Sequence, residues 1–116
     1  MSILTKIAEE HADIFPKATL ETQIEKLAEE FEEKENAEDE EQMLNEQADC
    51  FICLAGIYRF SPKVEKALAK ILPNVITMGS DTMRKALKKW EINKQRKWHF
   101  DEKTGKYKHI GTDGNE

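Results

Sequence analysis

The stretch Ala48-Asp49-Cys50-Phe51-Ile52-Cys53-Leu54-Ala55-Gly56-Ile57-Tyr58 decides the fold. Wound at 3.6 residues per turn, it is apolar on nearly every face, so it reads as a helix enclosed by other helices. Asp49 stands at the head of that segment, where a charge is costly unless something compensates it. Glu46 lies three residues earlier, and i, i+3 spacing places both acids on one helix face. Glu46, Asp49 and Cys53 share that face; Leu44, Ala48, Phe51, Ala55 and Tyr58 share the opposite one.

Outward from this segment the chain punctuates into further helices. Residues 2–15 predict a first helix, closed by Pro16. Thr19 is the expected N-cap of a second, running to about 34, with the apolar stripe Leu20, Ile24, Leu27, Ala28, Phe31. The acidic stretch 35–41 leads into the central helix, expected over 39–59, and acids suit its positive end. Ser61-Pro62 reads as an N-cap plus a proline at the first helical position, opening a helix to Leu72 that Pro73 stops. A last helix is expected over 79–97, capped by Ser80 or Asp81. Trp98, Phe100, Tyr107 and Ile110 flank the Gly-containing turn 101–105, which predicts a small hairpin. Residues 111–116 are expected to be a disordered tail. The expectation is therefore an all-α domain over residues 1–110, a bundle of four to five helices with a short C-terminal hairpin or extended tail.

Composition narrows the function. A chain of 116 residues can bury one modest core, and oligomerisation would help it. It has no run long enough to span a membrane and no signal-peptide pattern, so a cytoplasmic location is the default. Cys50 and Cys53, the two cysteines, share a helix amid apolar residues and read as buried reduced thiols; a redox pair would open a helix after a strand. The net charge of −5 hides an asymmetry. Residues 21–49 hold thirteen acids against Lys26 and Lys34, a net of −11, whereas residues 84–108 hold ten Lys/Arg against three acids, a net of +7. Two solvated faces that attract each other would satisfy this pattern. So would an acidic metal cage facing a basic phosphate clamp.

The acids favour the cage. Glu30-x-x-Glu33 on the second helix is followed, after twelve residues, by Glu46-x-x-Asp49 on the central one. An isolated Glu-x-x-Glu is ordinarily a solvated face, and Glu30 and Glu33 point away from the apolar stripe, beside Thr19, Gln23 and Lys26. The central helix changes the balance, because its acidic face must be largely enclosed. Four converging carboxylates repel unless a cation lies between them, and all-oxygen ligands select a hard divalent ion, Mg²⁺ or Mn²⁺. His11, His99 and His109 do not follow a glutamate at the spacing of di-iron bundles, and zinc's preferred Cys/His set is missing from this face. Magnesium usually partners a phosphorylated substrate. Lys89, Asn93 and Arg96, at i, i+4, i+7 on the last helix, could clamp phosphates, with Lys85 extending the face. Nucleic-acid binding is disfavoured by the negative net charge and the absence of a recognised motif.

These motifs bring a family into view. Glu29-Glu30-x-x-Glu33 followed by Glu46-x-x-Asp49 resembles the E-E-x-x-E and E-x-x-D signature of the MazG-like all-α nucleotide pyrophosphohydrolases. The second motif, Glu46-Gln47-Ala48-Asp49, keeps a small residue before the aspartate but departs from the usual E-L-G-D or E-L-S-D form. Lys89 to Arg96 is similar to the family's K-x-x-x-N-x-x-R ending, and Phe15-Pro16-Lys17-Ala18-Thr19 with Gln23 resembles a phage-associated subgroup described as dATP/dGTP pyrophosphohydrolases. The resemblance covers roughly residues 12–100. It implies Mg²⁺-dependent cleavage of a nucleoside triphosphate between the α and β phosphates, giving monophosphate and pyrophosphate. It implies Glu30, Glu33, Glu46 and Asp49 as metal ligands, Glu29 as the group that orients or deprotonates water, Lys89, Asn93 and Arg96 on the phosphates, and a homodimer or homotetramer. Gln23 could read a base edge or sugar hydroxyl, and Phe15, Trp90, Trp98, Phe100 or Tyr107 could stack on a base or belong to the core. A non-catalytic helical protein that binds nucleotide or a partner is the alternative. The related phosphoribosyl-ATP pyrophosphohydrolases are a remoter one, disfavoured by the segment around Phe15–Gln23.

Overall fold

The computed structural model describes residues 2–71 and 80–110, with side chains of the last helix described from residue 82. Among these residues the chain forms five helices and a two-stranded hairpin: α1 (Ile3–Ile14), α2 (Leu20–Glu35), α3 (Glu40–Phe60), α4 (Pro62–Ile71), α5 (Ser80–Gln95), β1 (Trp98–Asp101) and β2 (Lys106–His109). The expected stop at Pro73, the end at Leu72, the cap at Ser80 or Asp81 and the tail 111–116 lie outside the described residues or side chains.

Local chemistry sets the boundaries. Ser2 caps α1 by accepting from the Thr5 N–H at 3.1 Å. Thr19 caps α2 in a reciprocal box with Thr22, and Asp39 caps α3 by accepting from the Gln42 N–H at 2.7 Å. Ser61 accepts from the Val64 N–H at 3.1 Å and opens α4 at Pro62. Each cap satisfies a donor that the first helical turn leaves orphaned. The last helix stops two residues before its expected end. There the Asn93 carbonyl accepts from the Arg96 N–H at 3.2 Å and from the Trp98 indole N–H at 2.9 Å, and the chain turns into the hairpin. Gly105, at φ +71°, supplies the left-handed residue of the turn between the strands.

Helix α3 is the axis of the bundle, with α1, α2, α4 and α5 all packed against it. Gln47, Ala48, Cys50, Phe51 and every residue from Cys53 to Ile57 are buried. Both cysteines are buried free thiols, and burial pushes Cys50 up to about 12 and Cys53 well above the ordinary thiol range. One side of α3 builds a core with Ile7, Phe15, Ala86 and Trp90; the other joins Leu27, Cys50, Cys53, Leu54 and Ile57. Trp90 has no exposed surface, and its indole N–H donates to Glu10 at 2.8 Å, so its burial leaves no polar group unpaired.

Leu20, Leu27 and Phe31 of the expected stripe pack against the α3 core, but helix α2 is rotated somewhat from the expected orientation. Ile24 and Ala28, expected in its apolar stripe, face outward, and Ile24 is 37% exposed. Gln23, Leu27 and Lys34 are buried, with Glu30 half-buried between them. The inward line is thus i, i+4, i+7, i+11 from Gln23, and Leu27 is its apolar member on α3. Burial of Lys34 is tolerated because its ammonium lies over the Phe31 ring at 4.8 Å and pairs with Glu35 at 3.1 Å. This rotation turns Glu30 toward the bundle and leaves Glu29 and Glu33 on the exposed flank.

Candidate metal and nucleotide site

Three of the expected ligands meet. Glu30 and Glu33 from α2 and Glu46 from α3 bring one oxygen each within 4.8 Å of one another. Glu30 Oε2 and Glu46 Oε2 are buried and have no hydrogen-bond partner. Burial, then repulsion from Asp49, pushes the Glu30 carboxyl up to about 8. Burial and a hydrogen bond to Glu33 push Glu46 up to about 7. Glu33 itself is held below the ordinary carboxylate range, chiefly by the hydrogen bond it takes from Glu46. Burial and mutual repulsion therefore favour the protonated form of Glu30 and, less strongly, of Glu46, while the hydrogen bonds favour the Glu33 anion.

Asp49, the fourth expected ligand, is engaged elsewhere. Lys89 Nζ lies 2.8 Å from Asp49 Oδ1 and 3.4 Å from the Asn45 carbonyl. Lys89, read from the sequence as a phosphate contact, thus bridges α5 to α3 and neutralises the acid nearest the cluster. Glu29 is exposed and pairs with Lys106 of β2 at 3.5 Å, so it borders the cluster from outside. It shares an acidic surface groove with Glu33, Glu32 and Gln42. Arg96 stands just past the end of α5.

One helical turn away lies a cavity of about 110 Å³. Lys26 lines it one turn before Glu30, Cys53 one turn after Asp49, and Asn93 one turn after Lys89. Its aromatic walls are Phe15, Trp90, Trp98 and Tyr107. Phe15 meets Trp98 and Tyr107 edge-on at ring separations of 4.9 and 5.0 Å, and the Tyr107 hydroxyl accepts from the Lys17 N–H at 2.9 Å. The hairpin is thereby fixed over the cavity.

The chain matches no family model, no curated protein and no solved structure.

Gln23 lies in this cavity, buried, and it is held by a residue that the sequence reading missed. His11 is 4% exposed, hydrogen-bonded to Gln23, and held down to about 4 by burial and by the neighbouring Arg59 guanidinium. Its signal was present: with Ile7 and Phe15 it forms an i, i+4, i+8 line, a polar residue inside the buried stripe of the first helix. A Cβ built on Gly56 would lie 2.5 Å from Gln23 Oε1 and 3.0 Å from His11 Nε2. Glycine within a helix ordinarily costs about 1 kcal/mol relative to alanine. Here the side chains of Gln23 and His11 occupy the vacated space. Gly56→Ala is therefore expected to lower the melting temperature rather than raise it, and to displace Gln23. Thermal unfolding followed by circular dichroism checks the sign.

Proposed function

We propose that this chain is a Mg²⁺-dependent nucleotide pyrophosphohydrolase of the MazG-like kind, converting a (deoxy)nucleoside triphosphate to its monophosphate and pyrophosphate. The observation that carries the reading is the pair of buried, unpartnered oxygens on Glu30 and Glu46 beside Glu33. Buried polar atoms without partners are rare in folded proteins, and three oxygens that share protons form a donor set suited to a hard cation. Glu30, Glu33 and Glu46 would hold Mg²⁺ or Mn²⁺, with Asp49 as fourth ligand. The ion would supply charge neutralisation of the phosphates and polarisation of the reacting phosphorus.

The chain's own residues supply the rest. Lys89, paired with Asp49 at 2.8 Å, is within one side chain of the acids and can exchange Asp49 for a phosphate oxygen. Asn93, which lines the cavity, and Arg96, just past the end of α5, are the further phosphate contacts in this reading. Glu29, at the rim, is assigned to orient water and take its proton as the water oxygen adds to phosphorus and pyrophosphate leaves. Catalysis then rests on positioning and electrostatics and needs no histidine. Exposed Ile24, Phe60 and Ile71 are apolar side chains that a homodimer or homotetramer could cover. Among the described residues no helix is long and apolar enough to cross a membrane.

The test is release of monophosphate and pyrophosphate from canonical NTPs and dNTPs, with Mg²⁺ and with EDTA. Metal-dependent release is expected, rising into the alkaline range as Glu46 and Glu30 lose their protons. Silence across the panel with the helical fold intact, or a rate that peaks in acid, would favour the non-catalytic nucleotide-binding reading instead.

A further inference from the structure

We propose that the aromatic cavity is a nucleobase subsite that selects oxo bases (guanine, thymine, uracil) over amino bases (adenine, cytosine). Selection would come from a Gln23 amide whose orientation is fixed by His11 and Arg59. The proposal rests on the nucleotide reading above and gives it a substrate class.

The location follows from helical geometry. Lys26, Cys53 and Asn93 each stand one turn from a residue of the acidic site, and one turn is about 5.4 Å. A base joined through its sugar to phosphates at the acids reaches a wall of Phe15, Trp90, Trp98 and Tyr107, whose faces and edges suit a planar π-system.

The selectivity follows from a chain of hydrogen bonds. Arg59 is anchored by donating to the Phe15 carbonyl at 2.8 Å. Its Nη1 also donates to His11 Nδ1 at 3.2 Å, so the ring's proton sits on Nε2. That N–H donates to the amide oxygen of Gln23, which lies against Gly56 and His11. With its oxygen engaged there, the NH₂ is the group that Gln23 has left to offer the cavity it lines. The other charged groups on the wall are the ammonium groups of Lys26 and Lys106, and no carboxylate among the described residues lines it. Thr22 is spent within its capping box, its hydroxyl donating to the Thr19 carbonyl at 3.1 Å and accepting from the Thr19 N–H at 3.2 Å. Asn93 adds an amide with both a donor and an acceptor, so the donors in excess on the wall are the Gln23 NH₂ and the two ammonium groups. Guanine O6, or the O4 of thymine and uracil, meets a donor with an acceptor; at the same position adenine and cytosine meet it with the donor of an exocyclic amino group. A buried donor left unpaired is what makes such a site discriminate.

Trp90 and Trp98 line the cavity and provide a readout independent of turnover. Indole fluorescence of the full chain would be titrated with dGMP, dTMP, dAMP and dCMP without metal. Quenching by dGMP and dTMP at concentrations at least about tenfold lower than by dAMP and dCMP is expected, equivalent to about 1.4 kcal/mol. Gln23→Glu keeps an oxygen toward His11 and presents a second one to the cavity, so it should reverse or erase the ranking. Gln23→Met, of similar shape and without donors, should flatten it with the fold retained. Equal or inverted ranking in the wild type, no quenching by any monophosphate, or an unchanged ranking in both variants would overturn the proposal. Ranked quenching without pyrophosphate release from any triphosphate would support the subsite and overturn the hydrolase; metal-dependent release without base ranking would do the reverse.

Discussion

Glu30→Gln is expected to stabilise the metal-free protein at pH 9 while lowering pyrophosphate release by about 10³-fold or more, the equivalent of about 4 kcal/mol of lost charge stabilisation. The two effects have one cause. At alkaline pH the Glu30 carboxylate is forced to ionise while half-buried beside Glu33, Glu46 and Asp49. A neutral amide of the same shape removes that repulsion, and the melting temperature should rise by roughly 4 °C for each kcal/mol relieved. At pH 6, where Glu30 already carries a proton, the two proteins should melt alike. Glu33→Gln and Asp49→Asn should also silence turnover with the helical fold intact. Retained turnover in these variants would sink the site assignment. So would a Glu30→Gln protein that melts lower than the wild type at pH 9, since the cluster would then be a structural network rather than a held-apart ligand set.

Without metal, the melting temperature is expected to fall from about pH 5 to about pH 9, and millimolar-range Mg²⁺ should largely abolish the fall. Glu46 and Glu30 have folded-state values of about 7 and about 8, above the ordinary 4.5. Their stabilisation is complete below 4.5 and is lost as pH rises through 7 and 8. His11 acts in the opposite sense. Its value of about 4 lies below the ordinary 6.5, so its contribution is present above 6.5 and lost as pH falls through 4. It offsets about half of the carboxylate slope below 6.5, and above 7 only Glu30 still titrates, so the steepest decline belongs between about 6.5 and 7. Glu33, depressed by its neighbours, acts only below 4.5. Mg²⁺ binds the ionised form and stabilises by mass action, most at alkaline pH. Differential scanning fluorimetry across this range with Mg²⁺ and with EDTA reads both terms. A flat metal-free profile, or Mg²⁺ stabilisation that shrinks as pH rises, would contradict the cluster's role.

Much of this was legible in the chain, and for identifiable reasons. The apolar run from Cys50 to Ile57 could belong only to an enclosed helix, and Thr19 and Ser61-Pro62 mark helix starts by chemistry that does not depend on neighbours. The three-acid cluster was legible because Glu30, Glu33 and Glu46 keep their spacing on two helices that must pack together. The rotation of α2 was not. A helical wheel gives Ile24 and Ala28 to the core along with Leu20, Leu27 and Phe31, whereas only the last three pack against the α3 cluster, with Gln23 buried and Glu30 half-buried alongside. The Asp49–Lys89 pair was also hidden, because Lys85 and Lys89 fit the same face of α5 and nothing local says which reaches α3. The role of His11 was hidden because its partners Arg59 and Gln23 lie outside its own helix and far from each other in sequence.

The hairpin's seat over the cavity has a consequence for synthesis. Phe15 contributes one wall and Tyr107 another, and the hydrogen bond from the Lys17 N–H to the Tyr107 hydroxyl joins residues ninety positions apart. The acids of α2 and α3, by contrast, are complete within the first half of the chain. A growing polypeptide emerging from the ribosome therefore acquires its candidate cation site well before it has anywhere to place a base. Closing that late, long-range contact is also the step expected to lag in refolding, because the entropy of bringing distant segments together must be met before their aromatic rings can touch.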